Sequence, residues 1–97
     1  MYNEIELDEF KKLKKSGTLV VDVREAAELE DGFIDGMVHW PLSEFDKYKS
    51  ECPTDKEIIF YCRSGKRSLA ACAQAEQWTQ KQLYSLKGGY LGYSESV

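Results

Sequence analysis

No long hydrophobic run interrupts this chain. None is longer than that from Ile58 to Cys62, far short of the roughly 18 residues that a membrane-spanning helix needs, so no membrane span is expected. Nor does Met1-Tyr2-Asn3-Glu4 begin a basic stretch followed by an apolar one and a small-residue cleavage site, so the expected location is cytoplasmic. Histidine is close to absent, with a single copy, and three cysteines stand ten residues apart with no close pair. Zinc takes about four ligands, so neither a metal nor another cofactor is expected. An odd number of cysteines without an export signal argues against a disulfide framework and leaves at least one thiol free. Basic residues are in deficit, 13 against 17 acidic, giving a net charge of −4. A phosphate backbone is held by clustered Lys and Arg, so nucleic-acid binding is disfavoured. Repeats, low-complexity tracts and Pro- or Gly-rich linkers are missing too, and residues 1–97 read as one domain.

What is present is an ordinary globular balance of 42% hydrophobic and 31% charged residues, in which helical and strand patterns alternate. Leu7, Phe10 and Leu13 repeat at helical spacing among lysines and acids, and Gly17 closes the segment, which predicts a helix over 7–16. Leu19-Val20-Val21 and Ile58-Ile59-Phe60-Tyr61 are short unbroken runs of β-formers, as in strands buried on both faces of a parallel sheet. Between them the sequence suggests a helical piece at 26–30, a brief strand at 38–40 ended by Pro41, and a helix around 43–48 capped by Ser43. An alanine- and glutamine-rich helix is expected over 68–80, a strand over 82–86, a turn at Gly88-Gly89 and a short helix over 90–94. Alternating strands and helices imply an α/β fold with a mainly parallel sheet, whose ligands gather at loops leaving the carboxyl ends of strands.

The loop that starts at Cys62 is such a place. It follows a buried strand and precedes a helix, so the thiol should face that helix's first turn, where unpaired N–H groups and partial positive charge favour thiolate. Arg63, Lys66 and Arg67, three of the 13 basic residues, fall within five positions and add full charges. Gly65 lets successive amides turn inward as an anion nest. The expectation is a Cys62 pKa well below the ordinary value of about 8.5, and hence a nucleophile inside an anion pocket. The plain alternative is an inert strand-end cysteine, since free cysteine is among the most buried residue types. The flanking cations and glycine favour the functional reading.

Cys62-Arg63-Ser64-Gly65-Lys66-Arg67-Ser68 resembles the active loop of single-domain rhodaneses, the thiosulfate sulfurtransferase-like family. Val21-Asp22-Val23-Arg24-Glu25, the segment from Gly36 to Pro41, and Leu86-Lys87-Gly88-Gly89 resemble further motifs of that family, so the likeness covers nearly the whole chain. It implies a three-layer α/β/α fold with about five strands. It implies also that Cys62 takes the outer sulfur of thiosulfate or a related donor as a persulfide and hands it to a thiophilic acceptor: cyanide, a small thiol or a protein thiol. Loop amides from Arg63 to Ser68 would stabilise the anionic sulfur, while Arg63, Lys66 and Arg67 would attract the anionic donor, Lys66 being the first candidate for a merely solvated side chain. The resemblance implies further that an arginine five positions after the cysteine, as Arg67 is here, suits sulfur transfer, and one residue more suits phosphatase chemistry. A phosphatase or arsenate reductase is the alternative enzyme, and a sulfur-relay module serving a protein partner the alternative class.

Departures from the family's pattern lie outside the loop, at Phe33, Met37, Trp40 and Tyr93, and bear on packing and donor approach. Asp22 and Arg24 read as a structural ion pair or anchor, or else as pocket lining. His39 reads as a satisfied structural side chain. Cys72 reads as a core residue, and Cys52 as a surface thiol that could resolve a persulfide if it lay near Cys62. Trp78 and Tyr84 belong to the core or its edge. Lys11, Lys12, Lys14 and Lys15 read as a solvated helix face.

Overall fold

The computed structural model describes residues 1–96. Its centre is β4, Ile58–Tyr61, all four residues buried. Side chains alternate across a strand, so Ile58, Phe60 and Cys62 enter one core cluster and Ile59 and Tyr61 the other. Each such side chain stabilises the fold by about 1.5–3 kcal/mol relative to exposure, which explains why this run carries no polar residue. Around it stand β2 (Leu19–Asp22), β3 (Val38–His39), β5 (Leu83–Leu86) and β1 (Tyr2–Ile5), in the order β1-β5-β4-β2-β3 with every pairing parallel.

Helices cover both faces. On one side α2, Lys66–Ala75, lays Ala71, Cys72 and Ala75 against the sheet, beside the 3₁₀ segment Leu42–Glu51 with Phe45. On the other, α1, Leu7–Lys15, contributes Phe10, and α3, Gly89–Glu95, contributes Tyr90 and Tyr93. The expected three-layer α/β/α arrangement is therefore present.

Several boundaries differ from the sequence reading. β1 was not foreseen: only Ile5 of its four residues is buried, so it carries no apolar pattern, and it is recruited through Leu83 N–H donating to the Met1 carbonyl at 3.0 Å. The helix expected over 68–80 begins at Lys66 and ends at Ala75. Beyond it the Trp78 amide turns back to the Ala75 carbonyl at 2.8 Å, and the indole stacks on Phe45 with centroids 4.8 Å apart. Packing of one aromatic thus outweighs the helix propensity of residues 76–80. Both pieces between β2 and β4 are 3₁₀ rather than α. Ser43 caps neither; Pro41 precedes the second segment, and the Ser43 hydroxyl donates to Glu25 at 2.7 Å.

Asp22 and Arg24 form a buried ion pair, Nη2 to Oδ2 at 2.8 Å, the choice between anchor and pocket lining falling to anchor. The guanidinium also donates to the Gly32 carbonyl at 2.7 Å and lies over the Tyr90 ring at 4.6 Å, fastening the 26–32 segment and α3 to the strand ends. His39 Nε2 meets the Arg24 carbonyl at 2.7 Å, a structural contact. No helix is long and apolar enough to cross a membrane among the described residues, and no His, Cys, Asp and Glu cluster there could hold a metal.

Candidate active site

Cys62 leaves β4 at its carboxyl end and sits 1% exposed beneath the first turn of α2. Gly65 makes this turn: its φ of +109° is a conformation that side chains disfavour, and it caps α2 directly. The Gly65 amide donates to Cys62 Sγ at 3.1 Å, and the Ser68 hydroxyl lies 3.6 Å from the sulfur. Burial opposes ionisation of this thiol, but the Ser68 hydroxyl and the amides of Ser68, Gly65 and Ser64 outweigh it and hold the pKa below its ordinary value. The Ser68 hydroxyl and main-chain donors thus do what the sequence reading had ascribed in part to cations.

Amides can point inward only if the loop carbonyls point elsewhere, and α3 takes them. Tyr90 N–H donates to the Cys62 carbonyl at 2.8 Å and Leu91 N–H to that of Arg63 at 3.1 Å. So close is this approach that a Cβ on Gly89 would stand 2.5 Å from the Cys62 oxygen. The double glycine is accordingly the rear wall of the loop as much as a turn.

The three cations are placed differently from one another. Arg63 and Lys66 are exposed and have no salt-bridge partner among the described residues. Arg67, expected to draw in the donor, instead gives both terminal nitrogens to Glu28, at 2.7 and 2.8 Å. This fork holds the Glu28 carboxyl down to about 2, against the smaller opposing effect of burial and with help from the Glu25 amide. Ser64 is exposed at the rim, and Ser68 is wholly buried.

Two participants escaped the sequence reading. Glu28 could have been suspected from the Glu25-x-x-Glu28 spacing, which here forms a reciprocal capping box. Ser85, whose hydroxyl meets Ser68 Oγ at 2.7 Å, gave no signal beyond being polar in a strand. Cys52 is half-buried, with burial raising its thiol pKa, and Cys72 is in the core.

A cysteine held in a ring of amides, at the carboxyl edge of a wholly parallel five-stranded sheet covered on both faces, defines a rhodanese-type α/β protein. Residues 6–96 match the rhodanese-like domain family, and the chain belongs to it. A sulfurtransferase of Allochromatium vinosum is 32% identical over 97% of this chain and 90% of its own length. Among solved structures, a rhodanese-related protein of Thermoplasma volcanium superposes with a TM-score of 0.88 at 28% identity, covering 98% of this chain and 93% of that one. A Rhodopseudomonas palustris protein described as a possible tyrosine phosphatase superposes with 0.86 at 25% identity, covering 98% and 81%. The family and its sulfurtransferase relatives support sulfur transfer in general.

Proposed function

We propose that the protein is a thiosulfate sulfurtransferase in which Cys62 carries the sulfur. The observation that carries this reading is the Gly65 amide 3.1 Å from a buried Cys62 sulfur whose thiol is held below its ordinary pKa by neighbouring donors. The Cys62 thiolate attacks the outer sulfur of thiosulfate; the bond between the two thiosulfate sulfurs breaks, its electron pair leaves with sulfite, and a Cys62 persulfide anion remains. In the second step the acceptor's lone pair bonds to the outer sulfur, the persulfide S–S bond breaks, and its electrons return to Sγ as thiolate. Neither step needs a proton-transfer group, which accords with the single histidine being spent on the Arg24 carbonyl.

Ser64, Gly65 and Ser68 hold the anionic sulfur through amides and one hydroxyl, and exposed Arg63 and Lys66 draw in the anionic donor. Arg67 acts from behind the loop through Glu28, as loop support. With Cys62 only 1% exposed, a donor must present a slim terminal atom, which a sulfane sulfur is. The likeness to a possible tyrosine phosphatase favours aryl phosphate hydrolysis as the second reading. A loop that closes to 3.1 Å on one sulfur atom and places its arginine five positions after the cysteine supports the first.

Incubation with thiosulfate should add one sulfur to Cys62, seen by intact mass and peptide mapping, and cyanide should then release it as thiocyanate. Cys62→Ser should abolish both while leaving the melting curve unchanged within about 2 °C. Turnover of an aryl phosphate with no sulfur taken up from thiosulfate would select the phosphatase.

A further inference from the structure

Ser85 stands outside every recognised motif yet inside the site. It lies on β5 opposite Phe60 in register, is wholly buried, and points toward α2. The only hydrogen-bond partner of its hydroxyl among the described residues is Ser68 Oγ at 2.7 Å. Ser68 Oγ in turn lies 3.6 Å from Cys62 Sγ and 3.1 Å from the Gly65 carbonyl.

Counting protons fixes the direction of these contacts. If Ser68 donated to Ser85, the Ser85 proton would be buried with no acceptor, a loss that folded proteins rarely carry. Ser85 therefore donates to Ser68, and the single Ser68 proton is left for either the Gly65 carbonyl or the sulfur. While Cys62 is a thiol, its S–H can donate to the second lone pair of Ser68, whose proton rests on the Gly65 carbonyl. Once the sulfur is an anion, the Ser68 hydroxyl rotates and donates to it.

We propose that Ser85 is a positioning residue whose hydroxyl fixes the orientation of Ser68, so that the Ser68 proton follows the charge on the Cys62 sulfur. The claim rests on Cys62 being the sulfur-carrying nucleophile and adds how its leaving-group charge is received. When the acceptor removes the outer sulfur, the electron pair returning to Sγ draws round the Ser68 proton, which the donation from Ser85 keeps free for the sulfur. No proton changes owner; one hydroxyl turns.

The test is the pH profile of Cys62 alkylation by iodoacetamide, followed by peptide mass mapping in folded protein. Ser85→Ala should raise the midpoint by about 0.5–1 unit, leaving about three- to tenfold less thiolate near neutral pH. Ser85→Thr, which keeps the hydroxyl, should restore the profile; if the alanine variant does not fold, Ser85→Cys, a weaker donor of similar size, should give an intermediate shift. Ser68→Ala should shift the midpoint further, and adding Ser85→Ala to it should shift nothing more, because Ser85 acts through Ser68. A Ser85→Ala profile equal to wild type, or shifts that add in the double variant, would overturn the proposal. An ordinary thiol midpoint in the wild type would overturn the nucleophile reading instead.

Discussion

Cys62 and Cys72 share one core cluster and are both closed off from solvent, yet their thiols are driven apart. Burial disfavours the charged form in each. At Cys72, inside α2, every nearby main-chain amide is engaged by the helix itself; burial dominates, the Glu76 charge adds to it, the N-terminal ammonium opposes it only weakly, and the thiol is pushed up to about 12. At Cys62, just before the same helix, amides of the first turn have no carbonyl one turn back to bind, and they turn to the sulfur. The difference teaches that the reactivity of these two core cysteines is decided by where spare O–H and N–H donors lie, and only secondarily by exposure or by cations nearby.

The largest effect expected from this contrast is kinetic. At pH 7 a thiol with a pKa of about 12 is ionised in only about one molecule in 10⁵, so Cys62 should be alkylated at least about a thousandfold faster than Cys72 in native protein. Peptide mapping over a time course checks this, and comparable rates would erase the distinction. The contrast can also be broken from behind the loop. Gly89→Ala places a Cβ against the Cys62 and Arg63 carbonyls, at 2.5 and 2.6 Å, and should cost about 2–4 kcal/mol in urea unfolding while moving the Cys62 midpoint toward that of an ordinary thiol. Gly17→Ala, at a comparably positive φ with open space around it, serves as the control and should cost about 1 kcal/mol with no change at Cys62. The smallest effect tests the cations. Glu28→Gln removes the partner of Arg67 and should cost about 1 kcal/mol at pH 7, with the Cys62 midpoint moving by less than about half a unit. Glu28 is depressed in the fold from 4.5 to about 2, so its contribution is present above pH 4.5 and lost as pH falls through 2; the variant and wild type should converge there in acid unfolding.

Sheet and helix elements were legible wherever the local pattern and the tertiary outcome agreed. Ile58-Ile59-Phe60-Tyr61 has no polar residue because it occupies the centre of the sheet, and α1 shows its apolar spacing because one side of it is solvated. β1 escaped notice because an edge strand with one buried residue needs no pattern of its own. The premature end of α2 escaped because alanine and glutamine describe helix propensity, whereas the position of Trp78 is set by Phe45, 33 residues earlier in the sequence. Within the site, Cys62 and Gly65 were legible because their contact spans three residues. The pairing of Arg67 was not legible because the sequence shows a cation near a cysteine but not the Glu28 carboxylate 39 residues before it.

The local order strand, cysteine, glycine turn, helix was determined by the sequence itself, for it depends on backbone conformation and on amides only a few residues from the sulfur. Tertiary structure alone decided that β5 would bring Ser85 beneath Ser68, that α3 would receive the loop carbonyls, and that Glu28 would take the Arg67 guanidinium. Those contacts join segments 17 to 39 residues apart, and no local propensity encodes which distant partner a folded sheet will place within hydrogen-bond reach.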